Sequence, residues 1–457
     1  MEYQSFLEQK TDYGASHGFA PLFMPDFLFD FQAAIVDWAI RLGRAAIFAD
    51  CGMGKTPMQL VWAENIMRKT NKPVLILTPL AVSGQTLEEA QKFDIEAQRA
   101  TIGLNPKTIQ VANYEKLHHF EATDYAGVVC DESSILKNFQ GRRKAAITEF
   151  MRRIPYRLLC TATAAPNDWV ELGTSSEALG YLGHMDMLTK FFTNKNNSAA
   201  VMRGRFAQDG WRLKGHAAEP FWRWVSSWAR AARSPSDLGF DDDGFILPAL
   251  NEKHTLVKAS KPTPGMLFDL AAVTFREERE ATRRTIDDRC ETAAAMVAQH
   301  YISMVWCHLN DESKTLHRMI PNSVEVTGSD SDEQKEEAAR WFVHGTEQKR
   351  VLISKPRIFG FGLNFQHAAH MTYFPTHSYE QYYQATRRLW RFGQERPVMV
   401  DLIYTDGGKR MMQNLARKAE GADQMFSDLV KYMDQSMTVK TEYNQVDVEV
   451  PKWMQAS

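Results

Sequence analysis

The sequence predicts two doubly wound α/β domains separated by a segment of different character, and three observations carry that expectation. Short apolar, β-branched runs alternate with longer stretches of helical periodicity, which implies βαβ units and parallel sheets. The runs fall into two series, early and late in the chain, with no repeat shared between them. Between the series the composition changes, with few buried-strand runs and four of the eleven tryptophans crowded between Trp211 and Trp228. At 457 residues the chain is long enough for two or three domains with sizeable cores.

The first series comprises 45–49 (AAIFA), 74–78 (VLILT), 109–112, 128–131 (VVCD) and 157–161 (RLLCT). The second comprises 302–306, 324–326, 351–354, 370–374 and 398–404. These give a division into an extension 1–26, a first α/β domain 27–175, a mainly helical insertion or bridge 176–261, a second α/β domain 262–406 and a helical tail 407–457. Within the bridge, Phe221, Trp224, Val225, Trp228, Ala229 and Ala232 recur at helical spacing, leaving Arg223, Arg230 and Arg233 off that face. Such a stripe either packs into a core or, with its arginines, touches nucleic acid. The Pro, Gly and Asp punctuation of 234–248 marks a loop closing that unit.

With 54 Lys and Arg against 56 Asp and Glu, the net charge of -2 excludes a basic coat protein, so any nucleic-acid site is a local patch. Hydrophobic residues at 44% and charged residues at 24% argue against long disorder. The first twelve residues carry Glu2, Glu8 and Asp12 and have no signal-peptide core, and no uncharged apolar run reaches membrane-spanning length. Five cysteines, widely spaced and never in C-x-x-C, argue against disulfides or zinc and for a reducing cytoplasm.

The residues that carry chemistry begin directly after the first apolar run. Ala49-Asp50-Cys51-Gly52-Met53-Gly54-Lys55-Thr56 precedes a helix-compatible stretch and reads as a phosphate-binding loop. Gly52 and Gly54 let backbone N–H groups turn inward, Lys55 reaches the β and γ phosphates of ATP, and the Thr56 hydroxyl takes Mg²⁺. Ala49 stands where the general G-x-x-x-x-G-K-S/T pattern has its first glycine. An acidic pair at the tip of a buried strand, Asp131-Glu132, completes the set: Asp131 for Mg²⁺ through water, Glu132 to orient and deprotonate the attacking water. Arg388 and Arg391, three apart and expected on one helix face, point to a cleft between the domains.

In order and wording these motifs resemble the superfamily two helicases, in particular the Swi/Snf-like branch of DNA translocases, over about 27–404 apart from the bridge. Ala49–Thr56 is similar to that superfamily's A-x-x-G-x-G-K-T, and Phe29-Asp30-Phe31-Gln32 resembles its Gln motif, implying that Gln32 reads the adenine edge. DESSILKN from Asp131 resembles D-E-A-H-x-x-K-N. LCTATAAPNDWVEL from Leu159, RIFGFGLNF from Arg357 and QATRRLWRFGQ from Gln384 resemble the branch's later motifs. The resemblance implies two tandem RecA-like domains with ATP between them, Arg391 as arginine finger and Arg388 as phosphate partner. It implies a DNA track, duplex or forked, gripped through phosphates by Pro79, Leu80, Asn113, Tyr114, Gly362 and Asn364. The compact length resembles the short helicase-like proteins of bacteriophages, for which the compartment would be the host cytoplasm.

Four positions depart from the pattern: Ser134 for a His, Ala162 for a Gly, Ala164 for a Pro and Arg387 for an Asp. They bear on how hydrolysis is coupled to movement. Three other readings follow from the same residues: an ATP-gated nucleic-acid clamp without processive movement, an RNA helicase, and a small-molecule phosphate-loop kinase, which would leave the second domain without a role.

Overall fold

The computed structural model describes residues 17–79, 82–102, 107–194, 210–260, 274–359 and 364–439. The first α/β unit contributes β1 (Arg44–Ala49), β2 (Val74–Thr78), β3 (Ala97–Arg99), β4 (Ile109–Asn113), β5 (Gly127–Asp131) and β6 (Tyr156–Cys160). A short antiparallel ribbon follows, β7 (Phe192–Asn194) against β8 (Trp211–Leu213), and then β9 (Ala229–Ala232) and β10 (Leu250–Val257). The second unit contributes β11 (Ile302–Trp306), β12 (Ser323–Glu325), β13 (Arg350–Ser354), β14 (His370–Tyr373) and β15 (Val398–Thr405).

Two parallel sheets result, with strand orders β3-β4-β2-β5-β6-β1-β9 and β10-β15-β14-β11-β13-β12. Every expected run became a strand within a residue or so of its expected ends. The cause is plain in β2, β5 and β13: each is buried at every position, so each reads as a continuous apolar stretch. Helices cover both faces of each sheet, giving two hydrophobic clusters per domain. This is the fold of two tandem RecA-like domains.

Four strands, β7 to β10, lie inside the segment expected to be a mainly helical bridge, and two of them, β9 and β10, join the large sheets. The segment's helix Ala218–Trp228 stops sooner than the aromatic stripe suggested. Ala229 turns extended at φ -126° and ψ 146°, and Ala229–Ala232 pairs with β1 at the edge of the first sheet. Phe221, Trp224, Val225 and Trp228 are buried, so the stripe packs. Arg230 is buried too, donating to the Ser226 and Ala229 carbonyls and lying 4.2 Å above the Trp38 ring, while exposed Arg223 pairs with Glu219 at 2.7 Å. Arg230 is thus committed to the core, while Arg223 stays on the surface. β10 pairs with β15 over its whole length, but as a half-solvated edge strand of sequence LNEKHTLV it carries no apolar run.

The helix Lys409–Val439 leaves the second domain and returns to the first. Its Met425, Phe426, Leu429 and Met433 are buried in the cluster that holds Phe221, Trp224 and Trp228. At roughly 1.5–3 kcal/mol for each fully buried apolar side chain, four of them anchor this helix strongly. The tail beyond residue 439 lies outside the described residues.

Candidate functional site

The loop between β1 and the helix Lys55–Thr70 is shaped by its glycines. Gly52 and Gly54 adopt φ of 93° and 77°, a region L side chains avoid. A Cβ on Gly54 would stand 2.2 Å from Nε2 of Gln32, and one on Gly52 would stand 2.9 Å from the backbone nitrogen of Phe392 in the second domain. The loop is thus closed from one side by Gln32 and from the other by the arginine segment. Gln32 is pinned: its Oε1 accepts from the Phe29 N–H (3.1 Å) and its Nε2 donates to the Met53 carbonyl (3.0 Å).

Lys55 opens the helix, and its Nζ donates to the carbonyls of Ala49 (2.9 Å) and Asp50 (3.2 Å), lying back along the loop it would use to hold phosphate. Thr56 is the next residue of the first turn. One turn on, Gln59 donates from Nε2 to Oδ1 of Asp131 at 2.7 Å, tying the loop helix to the acidic pair. Burial first, then repulsion from Glu132, raises the Asp131 carboxyl above its ordinary range, and the Gln59 bond pulls it partly back. Glu132 adopts the left-handed conformation at φ 50°, and its buried Oε2 has no hydrogen-bond partner. That open acceptor can take a hydrogen bond from water or a ligand. Among the described residues no cluster of three or more His, Cys, Asp or Glu is gathered for a metal. Thr56 and Asp131 fit a Mg²⁺ that takes its remaining ligands from phosphates and water.

From the second domain comes the helix Tyr379–Thr386 and the turns after it. Arg388 and Arg391 do not lie on one helix face. Helical bonding runs on in turns to the Trp390 N–H on the Thr386 carbonyl (2.9 Å), but the Arg388 carbonyl is taken by the Phe365 N–H (2.8 Å) and the Leu389 carbonyl by Nε2 of Gln394 (3.1 Å), so no regular helix carries both arginines. Arg391 donates to Oδ1 of Asn364. Burial, reinforced by Arg388, pulls the Arg391 guanidinium below its ordinary value. Arg387, expected only as a departure, pairs with Oδ2 of Asp50, whose Oδ1 accepts from the Tyr383 hydroxyl. A second contact between domains joins Lys137 to Glu380. A third is Lys418, which donates to Oδ1 of Asn167 and to the His377 carbonyl, each at 2.8 Å.

The expected track residues have other attachments. Tyr114 is buried, and its hydroxyl donates to the Asp131 carbonyl at 2.5 Å, while Asn113 ends β4 beside it. Asn364 holds Arg391. Pro79 follows β2 and accepts from the Val82 N–H at 3.0 Å, and Leu80 and Gly362 lie outside the described residues. Sequence reasoning missed Asp50, Gln59, Tyr383 and Glu380. Only Gln59 carried a signal, its position four residues after Lys55 on the same helix face. It also missed a cleft of about 1000 Å³ at the carboxyl ends of the second sheet's strands, lined by Arg279, Lys314, Lys355, Arg357, His308 and His377 among others.

No protein-family model matches the chain. It is 29% identical over 168 residues to protein p41 of Acyrthosiphon pisum secondary endosymbiont phage 1, covering 31% of this chain and 36% of that one, so it spans only about a third of that relative's length. Among solved structures it is similar to the Sulfolobus solfataricus SWI2/SNF2 ATPase core in complex with dsDNA. That likeness has a TM-score of 0.42 and 16% identity over 92% of this chain and 97% of that one. No helix among the described residues is long and apolar enough to cross a membrane. The strand orders themselves establish two tandem RecA-like domains, the phosphate loop of the first meeting the arginine segment of the second.

Proposed function

We propose that this chain is an ATP hydrolase of the Swi/Snf-like kind, dependent on DNA and Mg²⁺, that couples hydrolysis between its two domains to movement along DNA. The observation that carries the reading is the composite site. A phosphate loop and acidic pair from one domain are met by Arg388 and Arg391 from the other, across contacts that motion would have to make and break.

In this reading Gly52, Gly54 and Lys55 hold the phosphates, and Gln32 holds the loop while presenting its remaining amide capacity to adenine. Thr56 and Asp131 hold the metal, which neutralises charge on the phosphates when bound. Glu132 orients the water and takes its proton. Arg391 leaves the neutral Asn364 amide for the transferred phosphoryl group, and Arg388 supports it. Tyr114, bonded to the Asp131 carbonyl, links the end of β4 to the acidic pair, so a backbone gripped near Asn113 would be felt at the metal site. On the second domain, the cation-lined cleft lies where ligands of parallel sheets bind, and its charge suits DNA phosphates. The bridge 176–261 delivers β9 to one sheet and β10 to the other, which suits a connector shared by domains 27–175 and 262–406. The partial likeness to a phage protein suits a compact phage-type member.

Steady-state ATP hydrolysis with no polymer, single-stranded DNA, duplex DNA and RNA, each beside Lys55→Ala, tests this. DNA stimulation abolished in the variant is the expected result. Stimulation by RNA alone would make the track RNA. ATP-dependent DNA binding without turnover would make the protein a clamp, a reading the paired contacts at Asp50 and Lys137 also favour.

A further inference from the structure

We infer that Arg387 is a positioning residue: fastened to Asp50 at the foot of the phosphate loop, it sets where Arg391 stands when ATP is cleaved. The inference rests on the ATPase reading above and adds a residue which that reading did not use.

Two arginines four residues apart occupy opposite electrostatic situations. Arg387 is buried and faces a buried carboxylate: its Nη2 pairs with Asp50, and its guanidinium lies 4.2 Å above the Trp390 ring and 5.2 Å from that of Tyr383. Arg391, half-buried, donates to the neutral amide of Asn364, and the Glu89 carboxylate acts on it without a direct ion pair among the described residues. A cation already matched by a carboxylate has little to gain from an incoming anion, whereas one held by a neutral amide gains more. Arg387 is therefore the fastening and Arg391 the group free to change partner.

The fastening is placed to act on the loop. The Asp50 carboxylate accepts from the Cys51 N–H at 2.5 Å and from the Tyr383 hydroxyl, while the Asp50 carbonyl accepts from Lys55 Nζ at 3.2 Å. The Asp50 N–H donates to the Ala232 carbonyl at 2.9 Å, so the residue is rooted in the first sheet. On the other side Trp390, beneath the Arg387 guanidinium, donates from Nε1 to the Pro248 carbonyl at 2.6 Å. One buried ion pair thus joins the residue that anchors Lys55 to the turn that carries Arg391. With Arg in place of the family's Asp at 387, this chain gains a cross-domain pair.

The test is kinetic, on the full chain with its DNA activator. Arg387→Ala and Asp50→Asn, the latter nearly isosteric, are each expected to lower kcat on the order of 10²-fold, as a misplacement of about 1 Å does. Binding of a fluorescent ATP analogue should stay within about threefold, since Arg387 does not touch the nucleotide. The double variant should be no slower than the slower single one, because both remove the same pair. Arg387→Lys, which keeps the charge without the fork, should fall between wild type and Arg387→Ala. If wild type hydrolyses ATP and Lys55→Ala does not, yet Asp50→Asn and Arg387→Ala turn over normally, the positioning role is wrong while the ATPase reading stands. Analogue binding weakened in step with kcat would overturn it differently, making Arg387 a direct phosphate ligand. Absence of hydrolysis in wild type itself would remove the reading on which the inference rests.

Discussion

On the first-domain side of the cleft nearly every charged group is already engaged: Lys55 lies on the Ala49 and Asp50 carbonyls, Asp131 accepts from Gln59, and Asp50 holds Arg387. On the second-domain side Arg391 is half-buried and donates to the neutral Asn364 amide rather than to a carboxylate. The first domain is a finished cradle, and the second brings a cation in want of an anion. Under the proposed function, that asymmetry separates nucleotide affinity from turnover: changes in the loop of the first domain should move binding, and changes at Arg391 should move rate.

Replacing Arg391 by Ala should therefore have the largest effect, a fall in kcat on the order of 10³-fold, about 4 kcal/mol, with nucleotide affinity nearly intact. An equal loss in affinity would break the asymmetry. The next effect is on stability. Leu429 is fully buried where the helix Lys409–Val439 docks on the first domain, so Leu429→Ala should cost about 3 kcal/mol in denaturant unfolding. It should also lower unfolding cooperativity, because the helix ties the two domains together. A smaller shift concerns pH. Burial pushes both His308 and His367 of the second domain down to about 4. A histidine held neutral in the fold stabilises above its ordinary value of about 6.5, and that contribution is lost as pH falls towards 4. Acidification from pH 7 to 5 should cost on the order of 2 kcal/mol, discounted for the partial exposure of His367, with the second domain's tryptophan signals changing first. The smallest effect falls on the cradle: Gln32→Ala removes the bond to the Met53 carbonyl and should raise the KM for ATP by about tenfold or less, with kcat nearly unchanged.

Much of this molecule was legible beforehand because its signals are local. A strand buried on both faces is a run of apolar residues whichever neighbours it has, so β2, β5 and β13 were visible. A loop that must wrap phosphate needs glycine at fixed offsets, so Gly52 and Gly54 stood out. β10 was hidden because a solvated edge strand keeps polar residues on its open side, and β9 because four residues of ARAA continue a helical pattern until the backbone turns. The expected helix face for Arg388 and Arg391 failed because the Arg388 carbonyl bonds to Phe365, outside the segment, and the Leu389 carbonyl to the Gln394 side chain instead of a helical N–H.

The sequence by itself determined the two parallel-sheet domains and the glycine-shaped loop between β1 and its helix, because periodicity and short-range spacing encode them. Only the tertiary structure decided which arginine is bound and which is available, that Tyr114 reaches Asp131, and that a helix of the second domain is rooted in the first. Those facts depend on pairings across more than three hundred residues for Asp50 with Tyr383 and Arg387. A buried charge takes whichever partner the folded chain brings within reach, and sequence distance says nothing about which partner that is.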